Sequence, residues 1–336
     1  MSYLLVLLHG DIQKLETLAD LFLEEPDELL YYLENALSSG LSYPKALAEA
    51  TMLYLKSSEY AKILDEPNNV LGIEYIKQIK RQNFEVTAIT IQRNGEGHFS
   101  QNLSSFASGS RIREAILNGE NYSNSVPEYV YDLIRENISN VNITNLKPFE
   151  QILFYKIRDM DISTLKNISN VTEGLENRIK KASYISSNLE ELIANIKSKR
   201  YTESRIKRIL VSILLNITKK DMQIAKSTIP YVRVLGFNHK GKELISTIAR
   251  ANPNIDIIIS VASFEKNNLN KNKQIILNKD ILATDIFVLA SDPILPAKLD
   301  YTMKVYDDDN YMWKEWILKW IHSFFHIYLF KISIFL

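Results

Sequence analysis

The sequence predicts a mostly helical α/β protein, and three observations carry that expectation. Residues 11–64 repeat apolar side chains at helical spacing almost without a break. A β-branched run, Val86-Thr87-Ala88-Ile89-Thr90-Ile91, follows a further helical stretch. A strand–helix–strand pattern returns after residue 230. With 336 residues, 46% of them hydrophobic, the chain can form two or three packed domains. The expected division is residues 1–120, 121–225 and 226–305, with an atypical apolar tail at 306–336.

The first element is the apolar run Tyr3-Leu4-Leu5-Val6-Leu7-Leu8, closed by Gly10-Asp11. No basic segment precedes it, so it predicts a buried strand rather than a signal peptide. Ile12, Leu15, Leu18, Leu21 and Phe22 then define one helix face, and Pro26 resets the chain. A second helix covers 27–37 and stops at Ser38-Ser39-Gly40. A third opens at Tyr43-Pro44, where the missing proline N–H costs little. Pro67-Asn68-Asn69 predicts a helix start, with Val70, Ile73, Ile76 and Ile79 on one face up to about Lys80. Residues 86–91 predict a strand that ends in the turn-rich Arg93-Asn94-Gly95-Glu96-Gly97. A helix over 111–117 is closed by Gly119. From 127 to about 217 the pattern is helices joined by short polar loops. Strands at 231–235 and 255–260 flank a helix at 238–250, and the polar 264–274 predicts a loop.

Charge is balanced overall, at 40 Lys+Arg against 40 Asp+Glu, so no global field imposes a nucleic-acid partner. Locally it is uneven. Residues 1–66 carry a net −8, and residues 178–208 carry a net +6. There is no cysteine, which excludes disulfides, thiolate catalysis and Cys-based zinc sites and fits a reducing cytoplasm. The tail approaches the roughly 20 residues of a bilayer span, but Lys319, His322, His326 and Lys331 interrupt it. No membrane partner and no metal are expected, since His322 and His326 have no carboxylate nearby.

The densest candidate site is Phe106-Ala107-Ser108-Gly109-Ser110-Arg111-Ile112-Arg113. A small-residue loop becomes a helix N-terminus and brings N–H groups, hydroxyls and two guanidinium groups to one anion-sized space. Ser108 is the N-cap candidate, and Gly109 allows a ligand close to the backbone. The arginines oppose the helix dipole unless an anion sits there. An ordinary capped helix with solvated arginines gives the same pattern. Asn68 caps a helix or reads a base or ribose. Arg93 ends a strand where open α/β sheets bind ligands. A second candidate is the run from Lys197 to Arg208, with Lys199, Arg200, Tyr201, Arg205 and Arg208 ahead of an amphipathic helix. RNA phosphates would balance its cations, and Tyr201 would stack on a base. A solvated basic face is the alternative.

Taken together, the chain resembles the bacterial tRNA(Met) cytidine acetate ligases, a branch of the nucleotidylyltransferase-like proteins. The matching stretches run in family order. They are Gly40-Leu41-Ser42-Tyr43-Pro44, Pro67 to Tyr75, Thr90-Ile91-Gln92-Arg93, Ala107 to Arg113, Glu173 to Ile179, Lys199 to Leu210, and Tyr231 to Asn238. The resemblance implies a partial Rossmann-like nucleotidylyltransferase domain, then a helical tRNA-binding domain and a small α/β unit. It implies ATP, with Mg as its counter-ion, and acetate and tRNA as partners. Acetate would attack the α-phosphate, and the wobble cytidine amine would then take the acetyl group. Asn68, Arg93, Ser108, Ser110 and Arg113 would serve the nucleotide. Lys199, Arg200, Tyr201, Arg205 and Arg208 would face the RNA.

The resemblance is incomplete. The family's H-x-G-H helix start, which grips the ATP phosphates, does not occur in residues 1–336. Its Gly-x-Gly-Tyr-His-Asp loop reads Gly95-Glu96-Gly97-His98-Phe99-Ser100. The expectation is a shortened copy that is weak or inactive alone, with no catalytic residue identified. An exposed sheet edge would favour self-association.

Overall fold

The computed structural model describes residues 2–7, 11–91, 107–137, 145–172, 174–198, 201–229, 231–267, 270–291 and 294–307. The chain divides into two compact units, Met1–Val126 and Pro127–Leu336.

The first unit begins with strand β1 (Ser2–Leu7) and five helices: α1 (Ile12–Glu24), α2 (Asp27–Ser38), α3 (Tyr43–Leu55), α4 (Ser58–Leu64) and α5 (Pro67–Arg81). Strand β2 (Val86–Ile91) and helix α6 (Gly109–Asn118) complete it. Asp11 starts α1 by accepting the N–H of Gln13 at 2.9 Å. Leu15, Leu18 and Phe22 of α1 pack against Ile73 and Ile76 of α5, with Leu29 and Ala50 beside them. This is the face the helical spacing predicts, and each fully buried leucine or isoleucine contributes about 2 kcal/mol.

β1 and β2 pair in parallel, from Ser2 opposite Val86 to Leu7 opposite Ile91. Their carboxyl ends therefore share one edge. α1 leaves β1 at that edge. α5 returns to the opposite edge to start β2, so α1 and α5 run in the same sense. The Lys80–Asp20 ion pair joins the far ends of these two helices. The N-termini of α1 and α5 consequently lie toward the carboxyl edge of the strands, the edge where open α/β sheets hold ligands.

The second unit is helical first: α7 (Glu128–Asn137), α8 (Glu150–Asp159), α9 (Ile162–Asn167), α10 (Leu175–Ile185), α11 (Leu189–Ile196), α12 (Glu203–Leu214) and α13 (Lys219–Ser227). Phe149, Leu153, Ile157, Ile179, Leu192, Ile196, Ile206 and Leu210 build its main core. Next come β3 (Val232–Arg233), β4 (Gly236–Phe237), α14 (His239–Ala251), β5 (Ile257–Ile258), α15 (Val261–Asn267), α16 (Lys271–Phe287), α17 (Leu299–Thr302) and β6 (Tyr306–Asp307). β3 pairs in parallel with β5, and β4 with β6.

Two expectations change here. The strand expected at 231–235 is split into β3 and β4, two residues each. The loop expected at 264–274 is helical at 264–267 and again from 271. Polar side chains serve a helix as well as a loop at this point. Asn270 caps α16 by accepting the Lys273 N–H at 3.1 Å, and Lys273 is itself buried against Asp256. Among the described residues no helix is long and apolar enough to cross a membrane.

Candidate nucleotide site and basic helical face

The candidate site in the first unit is the N-terminus of α6. Ser108 has extended backbone, and its Oγ accepts the Arg111 N–H at 3.2 Å, so it is the N-cap the spacing predicts. Gly119 closes the helix at φ 69°. Arg113 is exposed and donates from Nη2 to Ser110 Oγ at 3.2 Å. A side chain added at Gly109 would meet only Arg113 Nη1, at 3.9 Å, so the packing of the chain itself does not demand glycine there. Ser108, Gly109, Ser110 and Arg113 thus lie within the first two turns of the helix, whose first N–H groups lack intrahelical acceptors, that of Arg111 being taken by Ser108.

Arg111 is not part of that turn's outward face. Its guanidinium hydrogen-bonds Glu120 and lies 3.8 Å from Glu114, with 14% of the side chain exposed. The Arg111 hydrogen bond, helped by Asn118, holds the Glu120 carboxyl below its usual range. The same bond raises Arg111. Of the two arginines in the loop, one closes the helix on itself and one remains exposed.

Asn68 is the second residue of α5, behind Pro67, and is half-buried. Neither it nor Asn69 caps the helix. Glu66 occupies the cap position without a side-chain hydrogen bond. Asn69 is buried and donates to the Ile63 carbonyl at 3.2 Å. Arg93 and the 95–100 loop lie outside the described residues.

The basic run is rearranged by the fold. Tyr201 is 8% exposed and belongs to the helical core, its hydroxyl 3.1 Å from Thr172 Oγ1. A ring buried in this way is a packing element and not a stacking platform. Arg205 covers it at 5.1 Å from the ring centroid and donates to the Asn170 carbonyl at 3.2 Å and to Thr172 Oγ1 at 3.3 Å. Lys197 and Lys207 both engage Glu203, at 3.3 and 2.8 Å. Arg208 is half-buried, and Lys199 and Arg200 lie outside the described residues.

Several cations just upstream hold helix ends, a role the charge count did not reveal. Lys180 donates to the carbonyls of Ile157, Arg158 and Met160 at the C-terminus of α8. Arg158 in return donates twice to the Ser183 carbonyl in the last turn of α10, at 3.0 and 2.7 Å. Arg178 donates to the Asn195 and Lys197 carbonyls at the end of α11. These carbonyls are the unsatisfied, negative ends of helices, so cations suit them. Lys181 remains exposed. The signal available in sequence was position, since Arg158 lies at its own helix end, but the acceptors are on other helices.

The first unit thus holds a parallel strand pair with helices and a separate capped helix N-terminus, and the second unit is helical first. Residues 8–300 match the HIGH nucleotidyl transferase family. The tRNA(Met) cytidine acetate ligase of Thermoanaerobacter sp. strain X514 is 39% identical over 301 residues, covering 87% of this chain and 72% of that protein. The ligase of Acetivibrio thermocellus is 34% identical over 294 residues, covering 84% and 70%. The crystal structure of apo Thermotoga maritima TmcAL superposes with a TM-score of 0.80 at 23% identity, over 91% of this chain and 77% of that one. A second structure of that protein, bound with alpha-thio ATP, gives 0.78 at 24% identity over 91% and 76%. The chain belongs to the tRNA(Met) cytidine acetate ligase branch of the HIGH nucleotidyl transferases.

Proposed function

We propose that this chain serves ATP-dependent acetylation of the wobble cytidine of elongator tRNA(Met), giving N4-acetylcytidine. The observation that carries the reading is the α6 N-terminus, where Ser110 and Arg113 are exposed beside the first backbone N–H groups of the helix. The 34–39% identity to relatives named for this reaction supports it. In the reaction, an acetate oxygen bonds to the α-phosphorus and pyrophosphate leaves. The cytidine N4 then bonds to the acetyl carbon, AMP leaves, and N4 releases a proton. Ser110, Arg113 and the first N–H groups of α6 would hold phosphate oxygens and offset their charge. Asn68 and Arg93 would contact the rest of the nucleotide.

Magnesium would arrive as the counter-ion of ATP. Among the described residues no cluster of three His, Cys, Asp or Glu could hold a resident metal. The RNA face would comprise Lys199, Arg200 and Arg208 with Lys181, inside the helical segment 121–225, and the protein would work in the cytoplasm. Arg205 would act mainly through Tyr201. The chain would self-associate through the edge of the β1–β2 pair.

The net +6 over residues 178–208 favours one second reading, a tRNA-binding protein without ligase activity. The purified chain is incubated with ATP, acetate and tRNA(Met), and N4-acetylcytidine and pyrophosphate are measured. N4-acetylcytidine with matching pyrophosphate is expected, and tRNA binding without product would favour the second reading. Arg113→Ala should weaken ATP binding and spare tRNA binding. Arg200→Ala with Arg208→Ala should do the reverse. If Arg113→Ala leaves ATP affinity unchanged, the α6 site is wrong.

A further inference from the structure

The stretch Tyr231 to Asn238 has no task in the reaction above. Its Arg233 and Val234, at the end of β3, line a small cavity together with Ile258 and Ile259 at the end of β5. β3 and β5 run in parallel. The cavity therefore lies at their shared carboxyl edge, the edge where open α/β sheets hold ligands.

Asp300 of α17 and Lys304 line the same cavity. The Asp300 side chain is 1% exposed, and its Oδ1 lies 2.7 Å from Arg233 Nη1. Its second oxygen, Oδ2, is also buried and accepts no hydrogen bond. A buried carboxylate needs donors for its remaining lone pairs, so Oδ2 calls for an incoming O–H or N–H. The enclosed volume is about 10 Å³, room for one hydroxyl-sized group. Charge narrows the identity of that group. Arg233 and the exposed Lys304 disfavour a metal ion or an ammonium group, and Asp300 disfavours a bare anion. A ribose hydroxyl meets both conditions. It donates to the carboxylate, and the phosphate next to it suits the lysine.

We propose that the carboxyl edge of β3 and β5 takes one 2′-hydroxyl of a bound RNA strand, which donates to Asp300 Oδ2 while a neighbouring phosphate meets Lys304. Arg233 positions the carboxylate. RNA as the source follows from the tRNA reading above, and the contact lies outside the basic run at 178–208. A cavity of this size admits no base, so it reads the sugar and carries no sequence information. A free mononucleotide gains little there, whereas a strand held by its other contacts gains a test for RNA over DNA.

Met303 also lines the cavity, and the chain has six methionines. NMR of the full chain with methyl-labelled methionine therefore reports occupancy, and Met303→Leu assigns the resonance. An unmodified tRNA(Met) transcript should shift the Met303 methyl. The same sequence made as DNA should need about tenfold more for the same shift, and AMP at the transcript's saturating concentration should leave it unmoved. Lys304→Ala should weaken the response to tRNA severalfold. Asp300→Asn should remove the preference for RNA. Should that variant lose its far-UV circular dichroism, the unaltered chain and Lys304→Ala decide the matter. A Met303 methyl that stays still while tRNA binds, an equal response to RNA and DNA, or a folded Asp300→Asn chain with the full preference would each overturn this contact and leave the tRNA reading standing. A response to AMP as strong as that to tRNA would overturn the strand in favour of a mononucleotide. Absence of any tRNA binding would overturn both.

Discussion

Arg111 and Arg113 stand two residues apart and face different tasks. Arg111 ties α6 to Glu120 just past its C-cap, whereas Arg113 is exposed and donates to Ser110. Arg111→Ala should therefore lower the melting temperature of the first unit. Arg113→Ala should leave melting unchanged and reduce ATP affinity in a calorimetric titration. Ser108→Ala removes the N-cap and should cost about 1 kcal/mol in chemical denaturation. Sequence spacing showed the Ser108 cap, because a cap is local. It could not separate the two arginines, because the partner that claims Arg111 lies nine residues away around a helix. Tyr201 shows the same limit. Charged neighbours made it look like surface, but its hydroxyl pairs with Thr172, 29 positions earlier.

Among whole elements, α1, α2 and α5 were legible because their starts, stops and apolar faces are written within a few residues of each other, whereas the break between α3 and α4 at Lys56-Ser57 was not read. α15 and α16 were not, since Asn and Lys belong to loops and exposed helix faces alike. α13 offers a clean test of element stability. Thr218 accepts the Asp221 N–H at 3.1 Å, and Asp221 accepts the Thr218 N–H at 2.8 Å, a complete capping box. Thr218→Ala should cost about 1 kcal/mol. Burial pushes the Asp221 carboxyl up, but the Thr218 hydrogen bonds and Lys279 at 3.4 Å together hold it below its usual range. A carboxyl with a depressed folded-state pKa stabilises fully above the unfolded value, and that contribution disappears as pH falls through the folded one. Melts over acidic pH should show this loss, and Asp221→Asn should flatten it. On the neighbouring pair of helices, Lys180→Met should cost about 2 kcal/mol by stranding the carbonyls at the end of α8.

For the molecule as a whole, the two units carry opposite charge at their extremes, net −8 over 1–66 and net +6 over 178–208. RNA binding by the second should weaken steeply with salt, since each phosphate contact releases a counter-ion. Arg200→Ala with Arg208→Ala should reduce the slope of log affinity against log salt by about two. A slope unchanged by both substitutions would move the RNA face elsewhere. Size-exclusion chromatography with light scattering should show association of the chain through its strand edge, and a monodisperse monomer at all concentrations would count against that contact.

The crossed lysine and arginine caps of α8 and α10 have a practical consequence. Their acceptors are peptide carbonyls sheltered at helix ends, so ions in solution compete with them far less than with contacts to a polynucleotide. A wash of high ionic strength should strip co-purified RNA from the second unit while its helices stay in place. The preparation so obtained would be clean enough for titration with defined transcripts.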